Sequence, residues 1–151
     1  GERVVTSGRI DVAQLAVVFH GLDQARAAAR VAREAGLRLA LHSPADGVRI
    51  FGPEMFREMV DALRVEFPRL PVASVLDCGD APGRALGAIR CGVDAVRVAV
   101  DDPARARLAA IAEAHAVRIA TEPLPDLDLA GTPDPEAACR NALAPPPVPV
   151  P

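Results

Sequence analysis

VASVLDCGDAPGRALGAIRCGVDAVRVAVDDPARARLAAIAEAHAVRIA, residues 72–120, is the stretch on which the fold turns. Its first apolar run, 72–76, reads as a buried strand, and Asp77-Cys78-Gly79-Asp80 turns the chain into an Ala-rich helix that Gly92 stops near Cys91. Residues 94–100 (DAVRVAV) form the next strand, Asp102-Pro103 is read as the cap and first position of a helix running to His115, and residues 117–120 begin another strand. Working back from there, residues 14–19 (QLAVVF) and 37–41 (LRLAL) are strands. The first leads through Asp23, read as a cap, into a helix ending at Gly36. A helix from Gly52-Pro53 carries Met55, Phe56, Met59, Val60 and Leu63 at helical spacing, and residues 48–51 are read as a short extra strand before it.

Five strands alternating with four helices and no sequential hairpin signal predict an α/β protein with an open, mostly parallel five-stranded sheet, either flavodoxin-like or a half-barrel of βα repeats. The composition changes after Glu122, which places an α/β domain at 1–122 and a Pro-rich tail with a short helix near 135–143 at 123–151. The closing APPPVPVP is expected to run extended.

The segment 83–98, GRALGAIRCGVDAVRV, within a wider stretch of about 71–115, resembles the βα units of TIM-barrel phosphate-binding proteins of the keto-deoxy-phosphogluconate aldolase type. The resemblance covers about a third of the chain and implies βα repeats. That family's chemistry rests on a strand lysine, and all 17 basic residues here are Arg, so Schiff-base and P-loop lysine chemistry do not transfer. Five strands also cannot close an eight-stranded barrel.

With 17 basic and 20 acidic residues the net charge is −3, and there is neither Trp nor Tyr. Both facts disfavour a nucleic-acid partner. No apolar run approaches the roughly 20 residues of a membrane span, and no signal peptide is read, so no membrane association is expected. Cys78, Cys91 and Cys139 form no CxxC pair, which suits reduced thiols and a cytoplasmic location. The Arg, Ala and Pro bias is that of a GC-rich bacterial genome, and Gly1 in place of Met points to a processed or trimmed chain.

Residues with chemical capacity stand where the apolar runs end, the edge at which parallel α/β sheets place their sites. His20, His42, Asp77, Cys78 and Asp101 are the candidates for acid–base, nucleophilic or ligand roles, with Ser43, Gly79 and Arg84 as ligand contacts and Arg84 suited to an anion. Plainer readings stand beside these: Cys78 in a structural loop, His20 and His42 as a pair that hydrogen-bonds loops or substrate, and Asp101 as a solvated charge. Of the other polar residues near strand and helix ends, Asp80 reads as a helix cap, Glu122 as a solvated charge and His115 as the complement of a helix C-terminus. No recognised metal spacing such as HxH, HExxH or CxxC occurs, and no cofactor is implied.

Arg38, Ala40 and His42 share one strand face, as do Arg97 and Ala99, and Arg118 and Ala120. That alternation fits the polar interior of a half-barrel or a surface meeting a second subunit, unless the strand-start arginines simply reach outward. Two functions follow. One is binding of a small, anionic metabolite at the strand C-termini, with or without catalysis. The other is a non-catalytic assembly or regulatory module that acts through a homodimer or through a partner on the Met55-Phe56-Met59 helix.

Overall fold

The computed structural model describes residues 13–144, together with the backbone of residues 4–6 and 9–11. Two short strands, β1 (Val4–Thr6) and β2 (Arg9–Asp11), pair antiparallel. This hairpin was not expected, because three-residue strands are too short to show a period of two. The main sheet contains β3 (Gln14–Val18), β4 (Arg38–His42), β5 (Val72–Asp77), β6 (Ala95–Arg97) and β7 (Arg118–Ile119), all parallel and in that spatial order. A sequential order is that of a half-barrel of βα repeats; a flavodoxin-like sheet would place the second strand outside the first.

Repeated right-handed crossovers in one direction put the connecting helices on one face. These are α1 (Leu22–Ala35), α3 (Pro53–Glu66), α4 (Pro82–Cys91) and α5 (Ala104–Ala114). Their buried side chains join Leu15, Val17, Leu39, Leu41, Leu76 and Val96 in one core, while Val75, Ala95 and Ala120 form a separate cluster without any helix residue. The alternation along each strand therefore sorts large apolar side chains to the helices and small or polar ones to the other face. Ala25, Ala28, Ala29 and Ala32 of α1 are all buried, and their size lets that helix approach the sheet closely.

Gly36 and Gly92 end α1 and α4 in the left-handed conformation, as their places in the sequence require. The aspartates expected as caps do not act as such. The N-cap positions are Gly21, Ala81 and Pro103, none of which makes a side-chain cap bond; Asp23 lies in the first turn of α1, Asp80 just before α4 and Asp102 just before the cap of α5. His115 does meet the expectation, since Nδ1 lies 2.9 Å from the Ile111 carbonyl.

The extra strand expected at 48–51 is a helical turn, α2 (Val48–Phe51). With only four residues between two glycines the chain winds once, so that Val48 and Phe51, three apart, both turn inward. The Phe51 ring stacks on Phe19 at 5.8 Å, and Phe56 of α3 lies 5.8 Å from Phe19 and 6.1 Å from Phe51. The apolar stripe of α3 is thus spent on the protein's own core: Phe56, Val60 and Leu63 are buried, and only Met55 of the expected docking residues is well exposed.

Beyond β7 the chain passes directly from one edge of the sheet to the other. Five strands span about 19 Å between the edge strands, close to the reach of six extended residues. After residues 121–126, Val18 of β3 donates to the Leu127 carbonyl at 2.8 Å and accepts from Leu129 N–H at 3.0 Å. The strap thereby pairs part of an otherwise bare edge. It leads to α6 (Pro135–Leu143), capped by Asp134, whose side chain accepts from Ala137 N–H. Leu129 and Cys139 are buried in the main core, and Arg30–Glu136 at 3.0 Å ties α6 to α1. Residues 145–151, the Pro-rich end of the tail, lie outside the described residues.

Candidate functional site

The helix-free face carries a largely buried polar group, built from β4, β5 and β6: His42 and Asp77 are buried and Arg97 is partly so. His42 ends β4, Asp77 ends β5 and Arg97 ends β6, with Asp77 directly opposite Arg97 in the parallel register. All three share strand parity with Ala40, Ala73 and Ala95, whose small side chains leave room for them. Arg97 holds the group together. Its Nη2 donates to His42 Nδ1 at 2.9 Å, Nη1 lies 3.4 Å from Asp77 Oδ2, and Nε and Nη2 both donate to the Glu122 carbonyl of the strap.

These contacts fix the protonation of His42. Guanidinium can only donate, so Nδ1 accepts and the proton of the neutral ring sits on Nε2. Burial, with the Arg97 charge beside it, pushes the imidazole down to about 4. The ring is therefore a neutral hydrogen-bond donor through Nε2, which has no partner among the described residues although no fully buried side-chain polar atom is left unsatisfied. Arg97 uses four of its five N–H groups and keeps one on Nη1.

Asp77 is nearly saturated. Its Oδ1 accepts from Asp46 N–H at 2.8 Å and from Gly79 N–H at 2.9 Å. Gly79 is required for this turn, because its φ is +58° and a Cβ there would come within 2.8 Å of Asp46 Oδ1. Ser43 is buried, accepts from Asp77 N–H at 2.9 Å and donates to the Pro44 carbonyl. Ser43 and Gly79 thus position Asp77. At the rim, Arg118 and Glu122 form a two-pronged ion pair at 2.7 and 2.8 Å, and the Arg118 hydrogen bond holds the Glu122 carboxyl down to about 2.

The remaining expected residues lie elsewhere. Cys78 is next to Asp77 in sequence but on the opposite face, fully buried among the helices; burial, with Asp77 and Asp46 nearby, pushes its thiol up to about 12. His20 turns to the strap, with Nε2 2.6 Å from Asp128 Oδ1, and Gln24 clamps the same corner by donating to the Leu129 carbonyl. Asp101 and Arg84 are exposed, and neither forms an ion pair among the described residues. Arg38 and Arg118 are exposed first residues of their strands, as the outward reading expects. Arg97 is the member of the group that lies outside the site residues expected from the sequence, although its parity within DAVRVAV marks it.

Among the described residues no three His, Cys, Asp or Glu side chains come together to hold a metal ion, and no helix is long and apolar enough to cross a membrane. The three cysteines are unpaired. Titration of the native protein with a thiol reagent should modify the half-buried Cys91 quickly, whereas Cys78 and Cys139, the latter pushed up to about 11, should react only on unfolding. Rapid native modification of Cys78, located by peptide mapping, would contradict this placement. No family model matches the chain, and no curated protein matches it either.

Proposed function

We propose that this α/β protein binds a small, anionic metabolite on the helix-free face of its sheet, with His42 Nε2–H and the remaining Nη1–H of Arg97 as donors to the ligand. The observation that carries this reading is the His42–Arg97–Asp77 group, in which His42 and Asp77 are buried and Arg97 is partly buried. Burying His42 and Asp77 against a partly buried Arg97 is costly, and the core on the other face supplies the packing without them. A buried imidazole held as far below its ordinary value as that of His42 is a feature that concentrates at functional sites. A neutral imidazole donor at neutral pH suits a carboxylate, phosphate or carbonyl oxygen. In this reading acid–base capacity rests with His42 supported by Arg97, since Asp77 is occupied by two backbone N–H groups and Arg97.

Thermal unfolding across a panel of organic acids, sugar phosphates and nucleotides tests this. A ligand at a hundred times its Kd should stabilise the fold by about 2.7 kcal/mol. The gain should vanish in His42→Gln and persist in Arg84→Gln. A ligand whose effect survives His42→Gln would place binding elsewhere.

A second reading, a homodimer or partner interface, is favoured by one observation: Ala16 and Ala73 remain partly exposed on the helix-free face. A face of small side chains admits close approach of another surface. Light scattering at several concentrations distinguishes the two: a concentration-dependent dimer abolished by Ala73→Arg supports the interface, and a strict monomer removes it.

A further inference from the structure

A cavity of about 380 Å³ opens at the end of the sheet opposite to His42, where Arg38 begins β4 and Pro71 precedes β5. Its floor is apolar, made by the buried Leu37 and Phe67 with Leu70. Its rim is cationic. Arg33 lies over the Phe67 ring at 5.0 Å, while Arg38 and Arg69 are exposed and pair with no carboxylate among the described residues. The acidic rim residue, Glu66, is already engaged by Arg26 at 2.8 Å. In a chain of net charge −3, three guanidinium groups around one apolar hollow concentrate positive charge where the overall field is negative.

We propose that this cavity is a second binding site, for an amphipathic monocarboxylate whose apolar body lies on Leu37, Phe67 and Leu70 and whose carboxylate meets Arg38 and Arg69. The volume is that of a small-molecule site, and the combination of apolar lining with a few convergent polar groups is what such sites use. Guanidinium matches a carboxylate by paired hydrogen bonds. The choice of a monoanion over a phosphate follows from the helices. α1 and α3 end here, and the partial negative charge of their C-termini opposes a dense dianion more than a monoanion; among the described residues that line the cavity there is no helix N-terminus to cradle one.

Calorimetric titration of the full chain with decanoate, decyl phosphate and decylammonium tests the assignment. Decanoate should bind at one site and decylammonium should not. The double variant Arg38→Gln/Arg69→Gln should weaken decanoate binding by about tenfold or more, the effect of losing charge-assisted hydrogen bonds. Both residues are exposed, so the variant should keep the wild-type unfolding temperature to within a few degrees. His42→Gln should leave decanoate binding unchanged, which separates this site from the one on the helix-free face. Absence of decanoate binding, equal binding of decylammonium, or unchanged affinity in the double variant would overturn the site. Tighter binding of decyl phosphate than of decanoate would overturn the carboxylate assignment.

Discussion

Phe56→Ala is expected to remove about 3–5 kcal/mol of folding stability and to lower the unfolding temperature by roughly 10–20 °C. The ring is fully buried and lies within about 6 Å of both other rings of the Phe19–Phe51–Phe56 cluster. Alanine would leave a hole that Phe19, just after β3, together with α2 and α3 itself would have to fill, and the glycines bracketing α2 fix where Phe51 can go. The loss is a large part of the roughly 5–15 kcal/mol that holds a domain of this size together. Met55→Ala, one residue away on the exposed side of α3, should change stability by no more than about 0.5 kcal/mol. Thermal or urea unfolding of the two variants checks both values. Equal effects would mean that α3 does not present Phe56 to the core.

Arg97→Met should cost about 2–3 kcal/mol, at or just below the low end of what breaking a buried ion pair costs, because Arg97 is only partly buried and Asp77 keeps its two backbone donors. Three acceptors lose their Arg97 donor together: Asp77 Oδ2, His42 Nδ1 and the Glu122 carbonyl. Methionine fills much of the volume, so the loss reports charge and hydrogen bonding more than packing. The Arg97 charge is one of the two chief causes that depress the His42 imidazole, so the same variant should move that group upward toward its ordinary 6.5. A stability loss with an unmoved His42 would show that Arg97 acts only as a fastener for the strap.

The βα alternation was legible because each apolar run is closed by turn residues and because Gly36 and Gly92 stand where a helix must end in a left-handed turn. The order of the strands was not, since local patterning is the same in a flavodoxin-like sheet and in a half-barrel; only the direction of successive crossovers differs. The strap from 121 to 129 escaped because its pairing with β3 is a single bridge, with no period to detect. Within the site, strand parity carries the signal that sorts the residues. Asp77 falls in step with Ala73 and Val75, whereas Cys78 falls in step with Ser74 and Leu76, so the two neighbours had to face opposite sides. His42 and Arg97 obey the same rule. Their contact spans 55 residues and becomes visible only once β4, β5 and β6 are placed side by side.

The depressed His42 imidazole also has a sign for stability. Its ordinary value is 6.5 and its folded value about 4, so the unfolded chain takes up the proton first as pH falls. The contribution of this group is intact above pH 6.5 and is lost between 6.5 and about 4, at no more than about 1.4 kcal/mol per pH unit. The most direct measurement is the ring nitrogen spectrum of His42, recorded by NMR from pH 3 to pH 8. A neutral ring protonated on Nε2 at every pH above about 5, titrating near 4, is the result expected if Arg97 holds Nδ1 and presents Nε2–H to a ligand. An imidazolium forming near pH 6.5, or a proton on Nδ1 at neutral pH, would contradict the site.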